Sequence, residues 1–222
     1  MFDPSMPLLV VMDVDSTVIE QEVIELIAAH AGVEERVRAV TEAAMRGEFD
    51  FAASLRARVA LLEGLPESVL DDVRAAVRLT EGARELVEIL HHEGHVVALV
   101  SGGFDVIVAH IAEAVGADHF RANALELVEG RLTGRVIGEI VDREVKARML
   151  AEYAALHGIP RTNTIAVGDG ANDLDMMRDA EIGIAFCAKP IVRAAADASI
   201  EERDLRRVLD VIAAHAQAHT AG

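Results

Sequence analysis

The sequence predicts an α/β fold: a doubly wound parallel-sheet core with an inserted helical cap and a small β-hairpin excursion. Three observations lead to this prediction. Short apolar runs that end in small or polar clusters are separated by helical stretches, a long segment near the amino terminus is helical throughout, and one short segment alternates apolar and polar residues. With 222 residues, 52% of them hydrophobic, the chain is long enough to bury the core of such a domain.

Four apolar runs are predicted to be strands of the sheet, at residues 8–12, 95–100, 164–167 and 182–186. They do not alternate apolar and polar residues, which is typical of strands covered on both faces by helices. The helical stretches predicted to cover them are residues 82–92, 104–115, 146–157 and 174–179. In such a sheet, ligands bind beyond the carboxyl ends of the strands. The residues that directly follow the four runs are therefore the candidates for a functional site.

The connection between the first two predicted strands is too long for a single crossover. It contains about 80 residues, whereas a βαβ unit needs roughly 12. Four amphipathic helical patterns occupy it, with glycines at their predicted ends. We therefore expect residues 18–80 to form a helical cap that determines substrate specificity, and residues 1–17 and 81–222 to form the core.

A β-hairpin is predicted at residues 123–139. Apolar and polar residues alternate there on either side of Glu129 and Gly130, a pair suited to a tight turn. The hairpin is expected to be a small addition to the core.

The composition restricts the partners. Lys and Arg number 21 against 38 Asp and Glu, which gives a net charge of −17. Such a surface repels nucleic acids and anionic membranes, so we expect neither as a partner; an anionic substrate has to be attracted locally. Cys187 is the only cysteine and no secretory signal pattern is present, so we expect a soluble, cytoplasmic protein, either a monomer or a homodimer.

Acidic residues follow two of the predicted strands. Asp13 and Asp15 come directly after the first strand and are two residues apart, so both side chains can face the same opening. Neighbouring carboxylates are stable if a divalent cation lies between them or if one keeps its proton. Asp169 follows the third strand and offers another hard oxygen ligand. Each residue alone would be read as a turn or cap residue, but together they predict a Mg²⁺ site.

Two further segments suit an anion. Ser101, Gly102 and Gly103 lie between the second strand and a predicted helix, where backbone amides and a hydroxyl can bind an anion. Lys146 lies near the start of another predicted helix, where a cation is unfavourable unless it is solvated or held for an anion.

These segments together resemble a known family. "DVDST" resembles the DxDxT motif of the haloacid dehalogenase superfamily of phosphatases, and "SGG", Lys146 and "GDGAND" resemble their other three motifs in the right order. Longer pieces such as "VSGGFD", "AVGDGANDL" and "IAFCAKP" narrow the resemblance to members that act on phosphoserine, from about residue 8 to residue 212.

The resemblance implies roles for the core residues. Asp13 is expected to be the nucleophile that becomes an aspartyl phosphate, and Asp15 to protonate the leaving oxygen and then deprotonate water. Mg²⁺ is expected to be held by the side chains of Asp13 and Asp169 and the backbone carbonyl of Asp15. The residues expected to contact or orient the phosphate are Ser101, Gly102, Gly103, Lys146, Asn172 and, in a supporting role, Asp173.

The resemblance also implies roles in the cap. Arg58 is expected to bind the carboxylate of the substrate, since its planar fork suits a carboxylate. Glu22 is expected to bind the substrate ammonium group, with Met45 and Phe51 as apolar neighbours.

The activity implied is the Mg²⁺-dependent hydrolysis of O-phospho-L-serine to L-serine and phosphate, the last step of serine biosynthesis. Two alternatives stay open. The same machinery can act on another small phosphomonoester or transfer the phosphoryl group to homoserine. A non-catalytic phospho-acceptor resembling a receiver domain is the second alternative, and it has no need for a second carboxylate after its acceptor or for a cap of roughly 60 residues.

Overall fold

The structure, a computed structural model, describes residues 2–3, 5–45 and 50–220, without the side chains of residues 42, 44, 45 and 218–220. The strands in this part of the chain are β1 (Leu9–Met12), β2 (Val96–Phe104), β3 (His119–Val128), β4 (Arg131–Ile137), β5 (Thr164–Gly168), β6 (Ile182–Phe186) and β7 (Ala198–Ile200). The α-helices are α1 (Val23–Ala31), α2 (Glu34–Met45), α3 (Phe51–Ala60), α4 (Ser68–Ala76), α5 (Ala83–His92), α6 (Asp105–Val115), α7 (Arg143–Leu156), α8 (Leu174–Asp179), α9 (Pro190–Arg193) and α10 (Arg207–Thr220). Of these helices, none is both long enough and apolar enough to cross a membrane.

The strands form one sheet in the order β4-β3-β2-β1-β5-β6-β7. All neighbours are parallel except β3 and β4. The central strand is β1, which pairs with β2 on one side and β5 on the other, so that Leu9 lies beside both Val96 and Thr164. The predicted doubly wound α/β fold is confirmed. The carboxyl ends of β1, β2 and β5 meet at the same edge of the sheet.

Apolar layers cover both faces of this sheet. Val10 and Met12 of β1 pack into one layer with residues of α5 and α6, whereas Leu9 and Val11 pack into the other with residues of α7 and α8. All four side chains are fully buried. Each contributes roughly 1.5–3 kcal/mol to folding through burial, and this two-sided burial explains why the apolar runs do not alternate.

Several predicted boundaries differ from those in the structure, and two of the differences concern the site. The strand predicted to end at residue 100 continues as β2 through Ser101 and the two glycines, and helix α6 begins at Asp105. Helix α7 begins at Arg143, three residues earlier than predicted, because the Asp142 side chain accepts a hydrogen bond from the Val145 amide at 3.0 Å and caps it. Lys146 therefore lies in the first turn of α7.

Strands β3 and β4 form the predicted hairpin. Glu129 and Gly130 at its turn both have positive φ, 50° and 71°, as a tight hairpin turn requires. The hairpin is part of the central sheet, since β3 also pairs in parallel with β2. Its outer strand contacts the segment after α3: the Gly64 amide donates to the Leu132 carbonyl at 2.8 Å, and the Leu132 amide donates to the Leu65 carbonyl at 2.9 Å.

Helices α1–α4 occupy the segment predicted to be the cap, residues 18–80, and this segment is called the cap below. The chain leaves and re-enters the core through two adjacent stretches: the Glu20 amide donates to the Arg78 carbonyl at 3.0 Å, and the Thr80 amide donates to the Val18 carbonyl at 2.9 Å. The buried Thr80 hydroxyl adds a bond to the Thr17 carbonyl at 2.7 Å. The helical segment is thus joined to the core at one edge, above the carboxyl end of β1. Its domain boundaries and its role in specificity stay predictions.

Candidate active site

The candidate site lies at the carboxyl edge of the sheet, where the turn after β1 begins. The Asp13 amide donates to the Val167 carbonyl at 2.9 Å and so extends the pairing of β1 with β5. The chain then turns sharply at Ser16, which has a φ of 58°. The Asp13 side chain contacts the buried Lys146, whereas the Asp15 side chain contacts the start of α1.

Three carboxylates converge at the bottom of the site, which is called the floor below. One oxygen each from Asp13, Asp169 and Asp173 lies within 4.8 Å of the others. Hard oxygen donors at this separation suit a divalent metal ion, so the residues present fit such an ion. Asp173, for which only a supporting role was predicted, belongs to this group of carboxylates.

The Asp15 side chain makes other contacts. Its Oδ1 accepts the Val23 amide at 2.9 Å, and its Oδ2 accepts the Ser101 hydroxyl at 3.3 Å. These contacts do not involve the backbone carbonyl of Asp15, so its role as a metal ligand stays a prediction. The side chain therefore lies between Ser101 on β2 and the start of α1.

Lys146 is fully buried beneath the carboxylates. Its Nζ donates to Asp13 Oδ1 at 2.5 Å and to Asp173 Oδ1 at 2.7 Å. Burial lowers the pKa of Lys146, but the two carboxylates outweigh this effect and raise it above its ordinary value. The group therefore stays an ammonium. Burial and the nearby Asp173 carboxylate raise the pKa of Asp13 well above its usual range, although Lys146 opposes them.

The same physical effects act on the neighbouring carboxyl groups. Burial, and next the charge of Glu22, raise the pKa of Asp15 to about 7, against the opposing Val23 amide. Burial, and next Asp173, raise the pKa of Asp169 to about 6. A carboxyl group with a pKa near neutrality can both give and take a proton at neutral pH, which general acid–base catalysis requires. Asp15 therefore has the electrostatic environment of an acid–base group.

The end of β2 forms the other wall. Ser101 is fully buried, and its Oγ accepts the Gly103 amide at 2.8 Å. Neither glycine has room for a side chain. A Cβ at Gly102 would lie 2.9 Å from the Phe51 ring, and one at Gly103 would lie 2.7 Å from Asp15 Oδ2. The glycines thus allow the backbone to approach both the cap and the carboxylate.

A cavity of about 710 Å³ lies between the core and the cap. The predicted site residues that line it are Asp13, Asp15, Glu22, Phe51, Arg58, Gly102, Gly103, Asp169 and Asn172. Three others, Ser101, Lys146 and Asp173, are fully buried against the residues that line it. The side chain of Met45 lies outside the described part of the structure.

The cap side of the cavity carries both signs of charge. Burial lowers the pKa of Arg58, while the charges of Glu22, Asp15 and Glu25 act against that shift. Arg58 Nε also donates to the Ser54 carbonyl at 3.4 Å. A cation and carboxylates are therefore presented together above the acidic floor.

Several residues that line this cavity were not predicted from the sequence: Ile24, Glu25, Thr41, Leu55, Phe104, Arg143, Gly170, Ala171 and Lys189. One signal was available for Lys189, because it belongs to the "IAFCAKP" segment that carried the family resemblance. Nothing local indicated Arg143, which reaches the rim from the start of α7 and pairs with Asp175 at 2.5 and 2.7 Å.

Known proteins share this architecture. Residues 10–178 match the family of haloacid dehalogenase-like hydrolases. A phosphoserine phosphatase from Streptomyces coelicolor is 59% identical over 201 residues, which are 90% of this chain and 49% of that protein. One from Streptococcus thermophilus is 51% identical over 204 residues, 92% of this chain and 95% of that protein. The chain therefore spans about half of the first relative and nearly all of the second.

A solved structure is similar over almost the whole chain. It is described as a phospho-aspartyl intermediate analogue of phosphoserine phosphatase, is 45% identical, and superposes with a TM-score of 0.87 over 92% of this chain and 98% of that one. By these matches the chain belongs to the haloacid dehalogenase-like hydrolase family, within which it groups with phosphoserine phosphatases.

Proposed function

We propose that this chain is a phosphomonoesterase that hydrolyses O-phospho-L-serine to L-serine and phosphate, the last step of serine biosynthesis. One observation carries the proposal: a single cavity has Asp13, paired with the buried Lys146, on its floor and Arg58 with Glu22 on its cap side. The floor suits a phosphate group and the cap side suits the carboxylate and ammonium of an amino acid. The names of the relatives support the same substrate.

The phosphoryl group is transferred in two steps. An oxygen of Asp13 attacks phosphorus, the bond from phosphorus to the serine oxygen breaks, and Asp15 gives its proton to that oxygen. Water then attacks the aspartyl phosphate, Asp15 takes a proton from the water, and the bond to Asp13 breaks. This division replaces one difficult displacement with two easier ones. The pKa of Asp15 near 7 supports both of its roles, and the solved phospho-aspartyl analogue of a relative supports the intermediate.

Charge neutralisation allows the attack. Lys146 keeps its positive charge next to Asp13, so that a dianionic phosphate can approach a carboxylate. The Ser101 hydroxyl, the Gly102 amide and Asn172 bind and orient the phosphate oxygens, and Gly103 lines the same site. Mg²⁺, held by Asp13, Asp169 and the Asp15 carbonyl, supplies further positive charge when bound. Asp173 holds Lys146 in place at 2.7 Å.

The cap selects the leaving group. Arg58 binds the substrate carboxylate and Glu22 binds the ammonium group, while Phe51 covers the phosphate loop beside Gly102. The Ser16 hydroxyl donates to Glu22 Oε1 at 2.7 Å and orients it. Met45 is proposed as an apolar neighbour from the resemblance alone. Residues 18–80 act as the specificity cap in this proposal. Cytoplasmic location and a monomeric or homodimeric state stay predictions.

The test is phosphate release with Mg²⁺ from a panel that contains phosphoserine, phosphothreonine, sugar phosphates and p-nitrophenyl phosphate, run with and without homoserine. Phosphoserine is expected to have the highest kcat/KM. Only phosphoserine and phosphothreonine carry both a phosphate for the floor and an amino-acid head for the cap side, and phosphothreonine has an additional methyl group to accommodate. Faster phosphate release from a sugar phosphate would contradict the proposed substrate. Formation of phosphohomoserine faster than release of free phosphate would show that the protein is a transferase.

The accompanying variant is Asp13→Asn. It is expected to lose multiple turnover, since an amide oxygen is a poor nucleophile. Aspartyl phosphate trapped after denaturation of the wild-type enzyme, and absent from the variant, would support the mechanism. Continued turnover by the variant would show that Asp13 is not the nucleophile.

A further inference from the structure

A fully buried asparagine on β3, Asn123, connects two segments of the candidate site. Its Nδ2 donates to the Gly102 carbonyl at 2.8 Å, and its Oδ1 accepts the Val141 amide at 2.8 Å. A carbonyl only accepts and an amide N–H only donates, so these two partners fix the orientation of the side chain. Both partners are backbone groups, and they lie on chain segments about 40 residues apart.

The first bond fixes the phosphate loop at the end of β2. The Gly102 carbonyl belongs to the same peptide group as the Gly103 amide, which donates to Ser101 Oγ at 2.8 Å. This peptide is therefore held from both sides. Because Ser101 Oγ accepts that bond, its own proton is available for another acceptor, which in this structure is Asp15 Oδ2 at 3.3 Å. Asn123 and Ser101 thus bind opposite ends of one peptide group.

The second bond fixes the entrance to α7. Val141 directly precedes Asp142, whose side chain caps the helix and whose carbonyl accepts the Lys146 amide at 2.9 Å. Lys146 extends from this first turn to the carboxylates of the floor. The position of its ammonium group therefore depends on where the Val141 backbone is held.

We propose that Asn123 is a positioning residue that sets the spacing between the Ser101 hydroxyl and the Lys146 ammonium, and so shapes the phosphate subsite without touching the substrate. The proposal rests on the proposed function, since it assumes that these two groups bind the transferred phosphate. The hairpin would then contribute to the site, because its strand β3 carries Asn123, which pairs with Phe104 of β2.

The main variant is Asn123→Asp, which keeps the shape and the acceptor for Val141 but puts a second oxygen against the Gly102 carbonyl. We expect kcat/KM for phosphoserine to fall about tenfold or more, and the inhibition constant of inorganic phosphate to rise by a similar factor. Inhibition by L-serine, which lacks a phosphate, is expected to change less than twofold. Asn123→Ala removes the side-chain amide, and with it both bonds, without adding a charge; it is used if the first variant does not fold.

The chain offers a matched control in Asn163, which is also fully buried and also binds backbone groups. Its Nδ2 donates to the Asp3 carbonyl at 2.9 Å and its Oδ1 accepts the Asp3 amide at 2.7 Å, but it precedes β5, at the opposite edge of the sheet. Asn163→Asp is expected to lower the Tm comparably and to leave the phosphate inhibition constant unchanged.

Amide hydrogen exchange gives a readout independent of turnover. We expect the Gly103 amide to lose protection in Asn123→Asp, whereas the Val141 amide, whose acceptor remains, keeps it. In Asn163→Asp both amides are expected to keep their protection. The proposal is overturned if the two variants weaken phosphate inhibition equally, or if phosphate and L-serine inhibition weaken together in Asn123→Asp. If the wild-type protein does not hydrolyse phosphoserine, the proposed function fails, and binding of inorganic phosphate to the wild type and the two variants, measured by calorimetry, then decides the role of Asn123.

Discussion

The floor of the cavity and its cap side, called the roof below, are built differently. On the floor, Lys146 and Asp173 are fully buried and Asp13 is 3% exposed, and short hydrogen bonds hold the three together. On the roof, Glu22 is exposed and Arg58 is partly buried, both on the cap segment. A buried, mutually bonded group keeps its geometry, whereas exposed charges on a separate segment can adjust. The fixed region is thus suited to phosphoryl transfer and the adjustable region to recognition of the leaving group.

The largest expected effect comes from the floor. Lys146→Met should leave the Asp13 and Asp173 carboxylates buried without their cation, which costs about 3–5 kcal/mol of folding free energy. It should also lower kcat about 100- to 1,000-fold, the scale for one positioned charge. Urea unfolding and phosphate release measure the two effects.

The control for Lys146 is Lys189→Met, at an exposed lysine on the rim of the same cavity. Its folding free energy should change by less than about 0.5 kcal/mol. If the two lysine variants were equally stable, the contrast between a fixed floor and the rest of the cavity would be wrong.

The roof should show a change of specificity without a change of stability. Arg58→Lys replaces the planar fork by a point charge, so kcat/KM for phosphoserine should fall about 10- to 100-fold. Activity on p-nitrophenyl phosphate, which has no amino-acid head, should change little. Arg56→Lys, on the exposed side of the same helix, is the matched control. Equal losses on both substrates would show that Arg58 does not select the leaving group.

A smaller effect is expected where floor and roof meet. A Cβ introduced by Gly102→Ala would lie 2.9 Å from the Phe51 ring, and overpacking of this kind typically costs about 1–3 kcal/mol. We expect kcat/KM to fall about tenfold because the cap is pushed away from the loop. The double variant with Phe51→Leu should recover part of the loss, as measured in a double-mutant cycle. Additive losses would mean that the two regions are not coupled at this contact.

The smallest effect is expected at Asp118, remote from both regions. Burial raises the pKa of Asp118, but the Val97 amide and His91 outweigh burial and hold it below its usual value. A carboxyl group with a lowered pKa stabilises the fold above its unfolded-state pKa, and that stabilisation is lost as the pH falls through the folded-state value. Asp118→Asn should therefore reduce the acid dependence of urea unfolding below about pH 4, with unchanged kcat. A change in kcat would contradict its remoteness.

The local sequence pattern was sufficient for much of this architecture. Non-alternating apolar runs predicted strands buried on both faces, and the positions of Asp13 and Asp169 directly after such runs predicted that they share one edge of the sheet. The length of the first connection predicted the helical insertion, and alternation around Glu129 predicted the hairpin. Each of these predictions depends on periodicity or strand order, which neighbouring residues determine.

Only the tertiary structure decided which side chains meet. Lys146 and Asp13 are 133 positions apart, and the lysine is buried because α7 packs its first turn beneath the carboxylates. Other contacts likewise join elements that are distant in the chain. They are the hydrogen bonds of Asn123 with Gly102 and Val141, and the close approach of Phe51 to Gly102. Such contacts result from packing of whole layers, so no local pattern contains them. The sequence by itself determined the kinds of chemical groups and the edge of the sheet where they lie, and packing determined their distances and their pKa values.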